Sequence, residues 1–132
     1  MLFTVVFMNI KKNNRLNTKE IRYIIKTKKK KFLRWKIFNI NIIKQFPWME
    51  YNKFWISISS KFHKRAVYRN ILRKLFFHII YQSNYIHKRS KWSYVKVYVA
   101  LKKGVVYDFK KENIKDKIKK DLENDLDIIF WR

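Results

Sequence analysis

Between residues 32 and 101 the spacing of apolar side chains switches from strand-like to helix-like and back, and this order of periods limits the fold more than any other feature. Phe32 to Ile43 is rich in β-branched and aromatic residues. Within it Trp35, Ile37, Asn39 and Asn41 alternate with Lys36, Phe38, Ile40 and Ile42, which predicts a β-strand. The only proline, Pro47, closes it. Lys53 to Ser59 (KFWISIS) alternates again, as a second strand that could pair antiparallel with the first. From Lys64 to about Tyr81 the period becomes about 3.6 residues. Tyr68, Ile71, Leu72, Leu75, Phe76 and Ile79 then share one arc of a helix, and Arg69, Asn70, Arg73 and Lys74 share the opposite arc. Ser93 to Leu101 (SYVKVYVAL) returns to alternation as a third strand, with Val95, Val97 and Val99 on one side.

Helices flank this series. Asn17 followed by Glu20 is a capping signal, and Ile21, Ile24 and Ile25 give a short helix one apolar face as far as about Thr27. The run Lys28 to Lys31 reads either as a solvated turn or as a phosphate contact. After Gly104, Asp108 is placed to cap a last helix whose buried stripe is Ile114, Ile118, Leu122 and Leu126. The expected fold is α+β, a single α-β-β-α-β-α sandwich with helices packed on one face of a central sheet. A chain of 132 residues suffices for one such core. Residues 9–132 are read as one domain. The apolar opening MLFTVVFMNI is shorter than the roughly 20 residues needed to span a bilayer. Met8 offers a second start, so residues 1–8 are an extension outside the native chain or one more strand.

The charge distribution names the class of partner. Seven of the nine acids follow residue 107, where seven Lys and Arg balance them. The first 107 residues hold 26 bases against Glu20 and Glu50 and so carry the entire net charge of +24. Hydrophobic residues make up 48% of the chain, so this is no disordered basic tail, and a folded body this positive calls for a polyanion. Nucleic acid is the default, and an anionic membrane surface the weaker alternative. The absence of cysteine excludes thiolate chemistry, and one glycine excludes a Gly-rich phosphate loop. His63, His78 and His87 are far apart, and the acids of the last helix are spaced for surface pairing with lysine. The chain alone is expected to have no catalytic and no metal-binding residues. By contrast, Arg65, Arg69 and Arg73 are three of only eight arginines, stacked at i, i+4 and i+8. Their guanidinium forks suit phosphate oxygens, and a solvated helix face is the bland alternative.

Ser60-Lys61-Phe62-His63-Lys64-Arg65-Ala66-Val67-Tyr68-Arg69-Asn70-Ile71-Leu72-Arg73-Lys74 resembles the signature of the bacterial ribonuclease P protein component, Ser-Lys-Lys-x-Gly-x-Ala-Val-x-Arg-Asn-Arg-Ile-Lys-Arg. Asn14-Arg15-Leu16 is similar to the Asn-Arg-Leu that opens the family, and Val97-Tyr98-Val99-Ala100 with Lys102 to its Val-Ile-Ala-Arg-Lys strand. The resemblance covers about residues 9 to 126. It departs at Phe62, His63, Leu101 and, above all, Ile71, which stands for the second arginine of the triplet inside the apolar arc; Arg65 could replace part of that contact.

The resemblance implies a ribonuclease P protein-like fold (ribosomal protein domain 2-like), with a left-handed βαβ crossover carried by the motif helix. It implies a cytoplasmic protein subunit that binds ribonuclease P RNA and the 5′ leader of precursor tRNA. Mg²⁺ would be held mainly by the RNA, with no membrane partner and no small-molecule substrate. Carried over by position, the RNA-binding residues are Arg15, Lys61, Lys64, Arg65, Arg69, Asn70, Arg73 and Lys74. The leader cleft would take Ile21, Ile25, Trp35 and Phe38, with a core position as the competing reading for the two aromatics. A structural ribosomal protein that binds rRNA is the alternative function, and a membrane-surface binder a third.

Overall fold

The computed structural model describes residues 14–60, 62 and 65–130. Its elements are α1 (Thr18–Lys26), β1 (Lys31–Arg34), β2 (Phe38–Lys44), β3 (Lys53–Ser57), α2 (Ala66–Gln82), β4 (Val95–Leu101) and α3 (Ile114–Leu126). The opening apolar segment and Met8 lie outside the described residues, as do Lys61, His63 and Lys64.

α1 starts at a reciprocal capping box. Asn17 Oδ1 accepts from the Glu20 N–H at 2.8 Å, and Glu20 Oε1 accepts from the Asn17 N–H at 3.0 Å. The expected single strand over residues 32–43 is instead a hairpin. β1 and β2 pair antiparallel from Lys31 opposite Ile42 to Arg34 opposite Asn39. Nothing in Trp35-Lys36-Ile37 signals a turn by glycine or asparagine. The turn is pinned from a distance: Asp125 Oδ2, on α3, accepts the N–H groups of Ile37 and Phe38 at 2.9 and 3.0 Å.

The strand order is β1-β2-β4-β3. The expected antiparallel pairing of β3 with the first strand does not form. β4 lies between them, antiparallel to β2 and parallel to β3. A parallel pair needs a crossover of a dozen or more residues, and the 17-residue α2 supplies it. Asn52, fully buried just before β3, fixes this insertion. Its Nδ2 donates to the carbonyls of Tyr85 and Lys88 at 2.7 Å each, and its Oδ1 accepts from the Val95 N–H at 2.8 Å.

Alternation then sorts the side chains. Phe38, Ile40 and Ile42 of β2, Phe54 and Ile56 of β3, and Val95, Val97 and Val99 of β4 are buried in one cluster with Leu72, Leu75, Phe76 and Ile79 of α2. The predicted stripe of α3, Ile114, Ile118, Leu122 and Leu126, belongs to the same cluster. α1 does not share this face. Its Glu20 bonds Lys53 and Lys96, which alternate with core residues and so stand on the other side of the sheet. The helices therefore cover both faces, correcting the expectation that they share one. Asp108 does not cap α3 either. Its Oδ1 accepts from the Lys110 N–H in an earlier turn, and the helix begins after Asn113, in the left-handed region at φ 61°.

Candidate nucleic-acid interface

The arc of α2 opposite the core presents the arginines. Arg65, Asn70 and Lys74 are exposed, and Arg69 and Arg73 are half-buried, their stems lying along the protein surface. Arg73 Nη1 donates to Asn70 Oδ1 at 3.1 Å, which orients the guanidinium, while its Nε is buried without a hydrogen-bond partner. The first turn of α2 carries no acid, and Arg65 at the N-cap makes no side-chain capping bond. Cationic groups therefore stand at the positive end of the helix dipole, where an anion is stabilised by about 0.3–1 kcal/mol. Ile71 is half-buried against the core, so an arginine there would face inward.

Next to this end of the helix is a recess of about 290 Å³ lined by Arg65, Tyr68, Tyr107, Asp108, Phe109 and Lys110. Tyr68 and Phe109 stack with centroids 4.7 Å apart. Tyr107 donates its hydroxyl to Asp121 at 2.8 Å; burial and that carboxylate raise its pKa and keep it protonated. Arg15 is held at the edge of the sheet: its backbone bridges to Phe54, and its guanidinium lies 5.6 Å from the Phe77 ring centroid, one helical turn beyond Arg73.

The second cationic surface lies beside α1. A pocket of about 280 Å³ is lined by Tyr23, Lys29, Lys31, Ile42, Ile43, Lys44 and Trp92. Lys31 Nζ lies 4.6 Å from the Trp92 ring centroid. Glu20 takes Lys53 at 3.2 Å and Lys96 at 3.0 Å, so two sheet lysines share one carboxylate and the trio keeps a single net positive charge. Burial alone would raise the Glu20 pKa. The Asn17 N–H and the ammonium groups of Lys96 and Lys53 outweigh that and hold it below its ordinary value.

None of the four expected cleft residues lines this pocket. Ile25 is exposed, Ile21 is half-buried, and Trp35, at the β1–β2 turn, is 41% exposed. Phe38 is corrected outright. It is fully buried, edge-on to Phe76 with centroids 5.9 Å apart, because its register on β2 points it at α2 and gives it no face for a base. Lys29 and Lys31 come from the lysine run that the sequence left open between a solvated turn and a phosphate contact, whereas Tyr23 and Trp92 were missed. Tyr23 lies beside the isoleucines that define the helix, and Trp92 sits about sixty residues from Lys31, so neither has a local signal.

Among the described residues no three His, Cys, Asp or Glu side chains gather as a metal site. His78 is buried within α2, and burial followed by the charge of Lys119 lowers its pKa. His87 is exposed on the following loop. No described helix is long and apolar enough to cross a membrane.

No family model and no curated protein sequence matches the chain. Its fold is nevertheless that of solved bacterial ribonuclease P proteins. The Staphylococcus aureus RNase P protein superposes with a TM-score of 0.63 at 18% identity, covering 89% of this chain and 97% of that one. The Thermotoga maritima RNase P protein gives 0.61 at 21% identity, covering 83% of this chain and 93% of that one.

Proposed function

We propose that this chain is a protein subunit of ribonuclease P that binds the catalytic RNA and the 5′ leader of precursor tRNA and so promotes maturation of the tRNA 5′ end. One observation carries the reading: a fold shared along nearly the whole length of the S. aureus protein, with an arginine-bearing arc on the crossover helix. Arg65, Arg69, Asn70, Arg73 and Lys74 would grip phosphates of the RNA subunit. The α1 pocket would take unpaired leader nucleotides, with Tyr23 and Trp92 as stacking faces and Lys29, Lys31 and Lys44 along the backbone.

In this reading the Mg²⁺ of the reaction would be held mainly by the RNA subunit. The protein's contribution is electrostatic and positional. Lysine and arginine take over phosphate charges that would otherwise need counterions, which lowers the Mg²⁺ demand of the folded RNA. A cytoplasmic location goes with this role.

Reconstitution tests it. The purified chain should not cleave RNA, yet it should stimulate cleavage of precursor tRNA by a bacterial ribonuclease P RNA at low Mg²⁺. Sustained cleavage by RNA-free protein, or no stimulation of the RNA, would end this reading. Tight binding to rRNA without stimulation would favour a ribosomal protein.

A further inference from the structure

The loop between β2 and β3 holds an aromatic pair with no role in the core. Phe46 and Trp48 stack almost parallel, 5° apart in plane, with centroids 4.9 Å apart. Trp48 is 73% exposed and Phe46 49%. Two large apolar rings left in water are unfavourable unless something covers them.

The pair is also held still. Met49 donates its N–H to the Phe46 carbonyl at 2.9 Å, which closes a turn with Pro47 at its second position, where the proline ring presets φ. Buried Gln45 accepts from the Phe46 N–H at 3.3 Å and donates to the Tyr51 carbonyl at 3.3 Å. A platform fixed before binding loses little conformational entropy on binding.

Its surroundings indicate the occupant. Lys96 Nζ, which shares the Glu20 carboxylate with Lys53, lies 4.7 Å from the Phe46 ring centroid, so one net positive charge stands on that side. Lys44, in the wall of the α1 pocket, is two residues before Phe46, at most about 7 Å of chain away. A planar, weakly polar group attached to an anionic backbone matches a stacked ring pair flanked by lysines, and an unpaired RNA base has that character.

We propose that the Phe46–Trp48 pair is a stacking platform for an unpaired base of RNA leaving the α1 pocket past Lys44. The inference rests on the reading of that pocket as the leader site, and it extends the leader path beyond the pocket. Trp48 offers its exposed face to the base, and Phe46 supports it from behind.

The test uses the reconstituted holoenzyme and precursor tRNAs with leaders of increasing length. Trp48→Ala should weaken binding about fivefold or more once the leader is long enough to reach the platform, and leave short-leader precursor and mature tRNA unchanged. Trp48→Phe keeps a ring and should retain most of the affinity, and neither variant should change the melting temperature. Unchanged affinity of Trp48→Ala for every leader overturns the platform. An equal loss for all substrates also overturns it, since the residue then acts through the RNA subunit or the fold. If the wild-type chain fails to stimulate the RNA, the ribonuclease P reading falls separately. The platform is then judged on a short unpaired oligoadenylate bound by the protein alone, where equal affinity of wild type and Trp48→Ala overturns it. Loss of self-association in Trp48→Ala with unchanged RNA affinity would assign the pair to a contact between copies and overturn the RNA proposal.

Discussion

Two carboxylates, one on each side of the sheet, show how differently its faces are built. On the covered face Asp125 is almost fully buried, and its Oδ2 accepts two backbone N–H groups while its Oδ1 has no partner. Burial raises its pKa; the Ile37 and Phe38 N–H groups oppose that, and the nearby charge of Asp121 adds to it. On the α1 side Glu20 meets two ammonium groups, and its pKa falls. The covered face thus uses a charge sparingly, to hold one turn. The α1 face uses its carboxylate to offset part of the charge of two lysines, and Lys29, Lys31 and Lys44 remain along the pocket wall for an outside polyanion.

The largest test of this contrast is Phe38→Ala. As a filled core position it should cost about 3–5 kcal/mol of stability, measured by denaturant unfolding, and weaken binding of precursor and mature tRNA together through loss of folded protein. Selective loss of precursor binding at unchanged stability would move Phe38 to the RNA face.

Asp125→Ala comes next. It leaves two buried N–H groups unpaired, at about 1–3 kcal/mol each, whereas Asp125→Asn keeps one acceptor oxygen and should cost less. The two carboxylates also titrate with opposite sign. Because the folded pKa of Asp125 is raised, its contribution is full below the unfolded value and is lost as pH rises through the folded value. Asp125→Asn should remove that fall from the stability–pH profile. A profile unchanged by the substitution would mean that the Ile37 and Phe38 N–H groups offset the burial of this carboxylate.

Much of the fold could be read locally. The α2 and α3 stripes and the Asn17–Glu20 box are short-range patterns, and each forms where its spacing places it. What could not be read was long-range. The β1–β2 turn depends on a carboxylate 87 and 88 residues away, and the placing of β4 depends on three bonds of one buried asparagine. Alternation divided residues 38–42 correctly into two sets without saying which faced α2, but it failed across the turn, where Ile37 joins Phe38 in the core and Lys36 is exposed. Naming Phe38 and Trp35 together as leader contacts joined a core residue to an exposed one. The arginine arc was legible because a helix states its own outer face once its core face is known.

A smaller effect tests that arc. Arg69→Ala should weaken binding to the RNA subunit by about 1–3 kcal/mol and reduce the salt slope by about one unit. Lys117, largely exposed on α3 and 3.9 Å from Asp121, should matter little when changed to Ala. Equal losses in the two variants, followed as affinity against salt, would mean that a diffuse positive field binds the RNA.

The smallest effect is the most discriminating between the faces. Glu20→Gln preserves the capping geometry, since a glutamine oxygen can still accept from the Asn17 N–H, but it removes the charge that Lys53 and Lys96 share. Stability should fall by about 1 kcal/mol at neutral pH. With the folded pKa of Glu20 lowered, the wild-type advantage should be present above the unfolded value and disappear as pH falls through the folded value. RNA binding should move the opposite way. Two lysines released beside the pocket add phosphate-binding charge, so affinity rises a little and the salt slope steepens by about one unit. If instead stability and RNA affinity fall together, Glu20 positions α1 as part of the binding surface, and the α1 face does not hold its lysines in check.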